Sequence, residues 1–145
     1  MSEKNSIEER SKIMRAVKSK DTTIEIAVRK KFYESGLRYR KNSKKILGTP
    51  DISMKKYKVA VFINGCFWHG HDGCKRATIP KTRTEYWTMK INNNKIRDEY
   101  ISKVLVEEGW HVYTIWECQL RSNFDKYVEA IIEEIRSVIQ NNKSS

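Results

Sequence analysis

The sequence predicts an α/β domain in which a mixed central β-sheet is flanked by α-helices. Residues 59–63 form an unbroken apolar run, VAVFI, which is typical of a central strand covered on both faces. Residues 110–116 form a second segment rich in β-forming residues. Apolar residues recur at helical intervals in three further segments, at residues 22–34, 82–108 and 123–141. Strands that alternate with helices in a chain of 145 residues indicate one α/β domain with a sizeable core.

The first 21 residues are predicted to form a basic arm, and residues 22–145 a single domain. The arm carries five basic residues between Arg10 and Lys20, with Met14 among them. A short isolated helix is only marginally stable in water, so we expect the arm to become ordered on a partner. Met14 could insert into that partner or pack against the domain.

The first helix of the domain is predicted over residues 22–34. Thr22 and Glu25 have the spacing of a capping box, and Gly36 marks the end of the helix. Glu25 therefore has two interpretations: its side chain could satisfy backbone amide groups at the helix start, or it could face a functional site as an acid. Residues 37–41 alternate like an edge strand.

A short strand at residues 50–54 is predicted to form a hairpin with the central strand. Residues at the open end of a hairpin are neighbours in space. Asp51, which begins the first arm, is therefore expected beside Ile63 and Asn64, which end the second arm, and near His69.

The longest helix is predicted over residues 82–108, where Thr82 and Glu85 have the spacing of a second capping box. Asp98 falls on its apolar stripe, with hydrophobic residues above and below it. A carboxylate on such a face must be paired or take part in chemistry. Alternatively, the helix turns Asp98 towards the rim, beside Arg97.

The central strand leads into a loop that is rich in Cys, His and Gly. This loop holds Cys66 and Cys74 with His69 and His71 between them, and the chain's other cysteine, Cys118, follows the second predicted strand. Thiolates and imidazole in a tetrahedral arrangement favour Zn²⁺, and four protein ligands make the site structural. The spacing alone does not decide between His69 and His71. Ordinary buried thiols and loop histidines are the alternative.

The overall charge favours a polyanionic partner. Lys and Arg number 29 against 18 Asp and Glu, which gives a net charge of +11. Basic side chains neutralise phosphates and aromatic rings stack on bases, so nucleic acid is the expected partner; a merely charged, soluble surface is the alternative. With no apolar run near the roughly 18 residues of a membrane helix and no hydrophobic targeting segment, we expect a cytoplasmic protein.

Several short motifs stand out along the chain. The most specific is GCFWH at residues 65–69, directly after the buried strand, and the others lie at residues 10–17, 21–25, 48–51, 82–87, 97–98 and 109–118. Together these motifs resemble those of the very-short-patch-repair (Vsr-like) endonuclease family. The resemblance implies a restriction-endonuclease-like core. It further implies an enzyme that nicks one DNA strand beside a T:G mismatch left by deamination of 5-methylcytosine, with 5'-phosphate and 3'-hydroxyl products.

The resemblance also implies roles for residues of the predicted site. Asp51 and the backbone carbonyl of Ile63 would hold a catalytic Mg²⁺, and His69 would take a proton from the attacking water. Asp98 would fix the tautomer and orientation of His69, and Glu25 would order metal-bound water.

Two further groups of residues follow from the same resemblance. It selects His71 over His69 as the fourth ligand of a structural Zn²⁺, so that the ligands would be Cys66, His71, Cys74 and Cys118. It also implies an aromatic wedge that enters the DNA stack, with a methionine entering from the other groove; these residues are Phe67, Trp68, Trp87 and Met14.

The expected partner is double-stranded DNA with a T:G mismatch, and mismatch-repair proteins are expected as further partners. The protein is expected to be a bacterial monomer that associates with the nucleoid when it acts.

Asn64 departs from the family pattern, which usually has a titratable His or Asp there, and an amide cannot exchange a proton near pH 7. Two alternatives therefore stay open. One is a Vsr-like nuclease of restriction, phage defence or a mobile element without mismatch preference. The other is an inactive, zinc-stabilised DNA-binding protein.

Overall fold

The computed structural model describes residues 22–144, which form a four-stranded mixed sheet and three long helices. The mixed sheet flanked by helices is therefore confirmed, whereas the predicted arm and Met14 lie outside the described residues. None of the helices within residues 22–144 combines the length and apolar character that a bilayer crossing needs. In chain order the elements are α1 (Thr23–Glu34), β1 (Arg40–Lys41), β2 (Ile52–Met54), β3 (Val59–Asn64), α2 (Thr84–Glu107), β4 (His111–Trp116) and α3 (Glu117–Ser144).

The strands lie in the order β1-β2-β3-β4. β1 and β2 pair antiparallel, as do β2 and β3, and the last β2–β3 pair joins Ile52 to Val61. β3 and β4 pair in parallel as far as Asn64 and Trp116. Parallel neighbours need a long crossover connection, which α2 supplies. The carboxyl ends of β3 and β4 consequently meet at one edge of the sheet.

Alternating residues of β3 build two separate core layers, because successive side chains of a strand point to opposite faces. Val59 and Val61 are fully buried in the larger layer, under α1 and α3. Ala60 and Phe62 face the other way, where they pack with Ile101 and Leu105 of α2. The central strand is thus covered on both faces, as its unbroken apolar run predicts.

The structure confirms one of the two predicted helix caps and contradicts the other. The Thr22 hydroxyl accepts a hydrogen bond from the Glu25 amide at 3.3 Å, so the first cap is confirmed. The cap predicted at Thr82 is wrong, because α2 begins two residues later, after Arg83 in a left-handed conformation (φ 55°). The Thr84 hydroxyl instead donates to the carbonyl of Pro80.

The edge strand and the last helix also differ from the prediction. Leu37 turns into the core with 5% of its surface exposed, so the edge strand shortens to Arg40–Lys41. α3 starts at Glu117 and bends at Asn123, whose backbone is extended there (φ −157°, ψ 82°). The Asn123 side chain accepts from the Lys126 amide. The predicted start at residue 123 therefore marks a kink, and Cys118 lies on a helical turn.

Gly48 allows the loop before β2 to approach α2 closely. Its φ of +81° is a left-handed value, and a Cβ there would lie 2.6 Å from Cγ2 of Ile101, a largely buried residue. Gly36, at the end of α1, also has a positive φ (+86°) but has open space around it. Of these two glycines, Gly48 is required for packing as well as for backbone conformation, and Gly36 for backbone conformation alone.

We predict that Gly48→Ala destabilises the protein by about 2–4 kcal/mol, because the left-handed backbone and the overlap with Ile101 both oppose a methyl group. The matched variant Gly36→Ala should cost only about 1 kcal/mol, since it adds backbone strain alone. Urea unfolding followed by circular dichroism measures both values. Equal losses would contradict the proposed close approach to α2.

Candidate active site and metal centre

Asp51 lies just beyond the last paired residues of β2 and β3. Its Oδ2 accepts a hydrogen bond from the backbone amide of Ile63 at 2.7 Å, in the place where a further ladder bond would form. In an extended strand the amide and carbonyl of one residue point to the same side. The Ile63 carbonyl is therefore expected on the same side as the Asp51 carboxylate, as the hairpin prediction requires.

Burial raises the pKa of the Asp51 carboxyl to about 6, and the nearby Glu25 carboxylate adds to the effect. The hydrogen bond from Ile63 and the charge of Arg29 oppose this shift but do not cancel it. Removing an anion from water without a full set of compensating partners is unfavourable. A cation beside Asp51 would supply the positive charge that offsets this cost, so the carboxylate is well suited to act as a metal ligand.

His69 and Asp98 form a hydrogen-bonded pair. The His69 Nδ1 atom lies 2.5 Å from Asp98 Oδ2, and both side chains are about one third exposed. An ionised carboxylate can only accept a hydrogen bond, so Nδ1 carries the hydrogen and the other ring nitrogen, Nε2, is left as an acceptor. Asp98 thus faces inward and is paired, and it does not turn away to the rim.

One cavity of about 270 Å³ joins these groups. Its walls include Glu25, Asp51, Ile63, His69 and Asp98, which are all the candidates for catalysis and for the hard metal ion. The elements that supply them are α1, the β2–β3 hairpin, the following loop and α2. The structure therefore brings five residues from four parts of the chain to one place.

Of the two interpretations of Glu25, the structure supports the one in which its side chain faces the site. The Glu25 backbone amide donates to the Thr22 hydroxyl, while the Glu25 side chain is 3.9 Å from Arg29 and lines the cavity. Asn64 also lines the cavity, where its amide can donate and accept hydrogen bonds without titrating. The two residues can orient a water molecule, and only Glu25 adds charge.

The four predicted soft-metal ligands converge on a second point. One ligand atom from each residue lies within 4.8 Å of all the others, and the residues are Cys66, His71, Cys74 and Cys118. Tetrahedral Zn²⁺ with Zn–S bonds of about 2.3 Å would place its sulfur ligands roughly 3.8 Å apart, which this cluster can accommodate with small shifts. His69 is not part of the cluster, because it pairs with Asp98.

The surroundings of the cluster also suit a cation. The Cys118 amide donates to Cys66 Sγ at 3.3 Å, a bond that stabilises a thiolate. Burial raises the pKa of Cys66 to about 12, so the metal-free protein holds a neutral thiol whose proton a bound metal would displace. The His71 ring stacks on Trp116 with centroids 4.0 Å apart. A sulfur-rich donor set in these surroundings fits a structural metal.

Aromatic rings border the loop on its other side. Phe67, Trp68 and Trp87 contact one another edge to face, with centroids 5.3–5.8 Å apart. Trp68 is only 6% exposed, whereas Phe67 and Trp87 are partly exposed. The faces available to a partner belong mainly to Phe67 and Trp87, and Trp68 supports them from below.

Two contributions to the site were not anticipated from the sequence. Asn94 donates to the backbone carbonyl of Trp68 at 2.9 Å, which ties the loop to α2 one residue before His69. Its four-residue spacing from Asp98 on the apolar stripe is the signal that could have revealed it. Arg97 lines the cavity, although the sequence offered it only as a neighbour of Asp98.

Comparison with known proteins agrees with this geometry. A profile of the family described as DNA mismatch endonuclease Vsr matches residues 2–76. The chain is 42% identical to the type II nicking enzyme V.XorIIP of Xanthomonas oryzae pv. oryzae, over 83% of this chain and 88% of the relative. It is 40% identical to the type II nicking enzyme V.NmeAIP of Neisseria meningitidis serogroup A, over 90% and 94% of the two chains.

The DNA mismatch endonuclease Vsr of Escherichia coli K12 is 38% identical over 130 residues, which are 90% of this chain and 83% of the relative. The profile match and these alignments cover the strand ends and loops that carry the cavity and the cysteine cluster. The chain therefore belongs to the Vsr family and is a DNA endonuclease.

Proposed function

We propose that this endonuclease uses Mg²⁺ to nick one strand of duplex DNA beside a T:G mismatch, within a restriction-endonuclease-like core. The observation that carries the proposal is one cavity that is lined both by Asp51, which is partly buried, and by the His69–Asp98 pair. A carboxylate for a hard cation and an oriented imidazole are the two components that metal-assisted phosphodiester hydrolysis needs.

The Asp51 carboxylate and the Ile63 carbonyl are the oxygen ligands that we assign to Mg²⁺. This ion prefers hard oxygen donors and keeps several waters, so few protein ligands are sufficient. Bound there, it would stabilise negative charge on the phosphate and on the leaving oxygen. Support comes from the pKa of Asp51, which burial raises to about 6 despite the nearby charge of Arg29, because a bound cation would favour the charged form of this carboxyl.

His69 is assigned as the general base. With Nδ1–H donated to Asp98, its Nε2 can accept a proton from the attacking water, and imidazole exchanges protons readily near neutral pH. The water oxygen forms a bond to phosphorus while the bond from phosphorus to the 3' oxygen breaks. The products are a 5'-phosphate and a 3'-hydroxyl, whose proton comes from solvent. Glu25 and Asn64 would orient water in the cavity.

The cysteine cluster is assigned as a structural Zn²⁺ site. Four protein ligands leave no open position for substrate, so the ion would hold the loop in shape without taking part in hydrolysis. His69 lies within the same loop, between ligands Cys66 and His71. Fixing the loop at these points would restrict the main chain that carries the base.

Mismatch preference is assigned to Phe67 and Trp87, supported by Trp68. Aromatic faces can replace lost base stacking at roughly 1–3 kcal/mol per base, and a mispaired step opens at lower cost than a paired one. The E. coli relative is described as a DNA mismatch endonuclease. The other relatives are described as type II nicking enzymes, which favours, as a second candidate, a nicking enzyme of a restriction system.

A nicking assay tests the activity and separates the two candidates. In Mg²⁺ we expect a duplex with one T:G pair to be nicked at least about tenfold faster than the same duplex with C:G. His69→Ala should lose about 100-fold or more in rate, because the base is removed, while His111→Ala, an exposed strand histidine, should retain the wild-type rate. Equal nicking of both duplexes would refute mismatch preference and favour the restriction-associated function.

The titration of Asp51 gives a second test of the cation site. Because its folded pKa is raised to about 6, the folded state binds more protons than the unfolded state between about pH 4 and 6. Stability of the metal-free protein should therefore fall as pH rises through this window. In EDTA, Asp51→Asn should be more stable than wild type by up to about 3 kcal/mol at pH 7.5, and the gain should vanish near pH 4.

Thermal melts with and without Mg²⁺ measure this effect. Mg²⁺ should raise the melting temperature of wild type but not of Asp51→Asn. Asp125→Asn, which removes an exposed carboxylate on α3, should gain no stability in EDTA and should still respond to Mg²⁺. An equal Mg²⁺ response in wild type and Asp51→Asn would rule out Asp51 as the ligand.

Metal analysis tests the zinc assignment. The purified protein should contain one equivalent of zinc, and Cys118→Ser should lose it together with several kcal/mol of stability, because one thiolate bond and the closure of the loop are lost. His111→Ala should keep both zinc and stability. If the purified wild-type protein contains no zinc, and a chelator leaves its melting temperature unchanged, then the cluster consists of ordinary thiols.

A further inference from the structure

The cavity is unusual in its balance of charge. Three of its lining residues carry carboxylates, namely Glu25, Asp51 and Asp98. Among the described residues that line it, Arg97 is the one lysine or arginine. A DNA phosphate that enters this space meets several like charges, so the position of the single cation matters.

Arg97 has no hydrogen bond or ion pair with any residue in the range 22–144. The sequence of α2 explains this, because the positions three and four residues away hold Asn93, Asn94, Tyr100 and Ile101, and none is acidic. By contrast, Lys95 on the same helix is paired with Asp72 at 2.8 Å. The guanidinium of Arg97 thus stays available for an external anion.

The side chain of Arg97 points in a different direction from that of Asp98, the next residue in α2. Asp98 follows it in α2 and is occupied by His69. Consecutive helical side chains diverge by about 100°, so Arg97 lines the cavity without pairing with Asp98. Arg97 lines the same cavity as Asp51 and His69, so a phosphate bound in that cavity is within the space that its long side chain can reach.

We propose that Arg97 donates hydrogen bonds to a non-bridging oxygen of the scissile phosphate in the nicked strand. This inference rests on the proposed use of the cavity as the hydrolytic site. Guanidinium is planar, stays charged and matches phosphate oxygens in pairs. As the water oxygen bonds to phosphorus, negative charge grows on the non-bridging oxygens, and a fixed cation stabilises that charge more than it stabilises the ground state. Arg97 keeps its own protons throughout, and the proton of the water goes to His69.

This role differs from general DNA attraction in what it predicts for kinetics. A cation that contacts only a distant phosphate contributes to affinity and to its salt dependence. A cation on the scissile phosphate contributes mainly to the rate of the bound complex. The two roles can therefore be separated by measuring single-turnover nicking and DNA affinity on the same variants.

The experiment compares wild type with Arg97→Met and Arg97→Lys on whichever duplex the wild-type protein nicks. The matched control is Lys103→Met, which removes an exposed cation of α2 that does not line the cavity. We expect Arg97→Met to lower the single-turnover rate by about 100-fold or more, with DNA affinity changed less than threefold. Arg97→Lys should recover part of the rate, and millimolar guanidinium should restore activity to Arg97→Met but not to His69→Ala.

Three results would overturn the inference. One is an Arg97→Met protein, with wild-type melting temperature, that nicks at the rate of Lys103→Met; the proposed endonuclease function would then stand without Arg97. A second is a loss in affinity with an unchanged bound-complex rate and a salt slope reduced by about one, which would assign Arg97 to an outer phosphate. The third is a loss of nicking in Lys103→Met to the same extent, which would refute a specific role for Arg97.

Discussion

The parallel pairing of β3 with β4 is the constraint on which both sites depend. Because the ladder runs to Asn64 and Trp116, the two strands end side by side, and each is followed two residues later by a cysteine, Cys66 or Cys118. The bond from the Cys118 amide to Cys66 Sγ continues this pairing beyond the sheet. Without it, the ligands from the two halves of the chain would have no reason to meet.

The loop after β3 serves several purposes within a few residues. Cys66 points into the sulfur cluster and is fully buried, while Phe67 presents an aromatic surface and His69 faces the cavity. Such different directions in so short a segment require a firmly held backbone. α2 holds it from outside, through Asn94 on the Trp68 carbonyl and through contact with Gly70, where a Cβ would lie 2.6 Å from Ile91.

The distribution of charge is consistent with an enzyme that acts on DNA. The chain as a whole is strongly basic, at +11, yet its cavity is mostly acidic. Net positive charge attracts the polyanion from a distance, whereas carboxylates in the cavity would attract the cation that we propose for hydrolysis. Arg97 supplies positive charge within this mostly acidic cavity.

Thr49 is a β-branched residue with a left-handed φ of 49°, and it lies two residues before Asp51. Such backbone strain is often found at functional sites.

The sequence by itself determined the α/β class, the hairpin that brings Asp51 to Ile63, the inward position of Asp98 and the three cysteines of the sulfur cluster, whereas it left the choice between His69 and His71 open. Each of these follows from a local period, a strand end or a residue type whose chemistry has few alternatives. Only the tertiary structure decided that Glu25 both starts a helix and lines the cavity, that Trp68 is buried beneath its neighbours, and that α2 and α3 begin where they do. It also revealed that Arg97 lines the cavity. These features depend on contacts between segments distant along the chain, and on a left-handed turn at Arg83, which no local periodicity encodes.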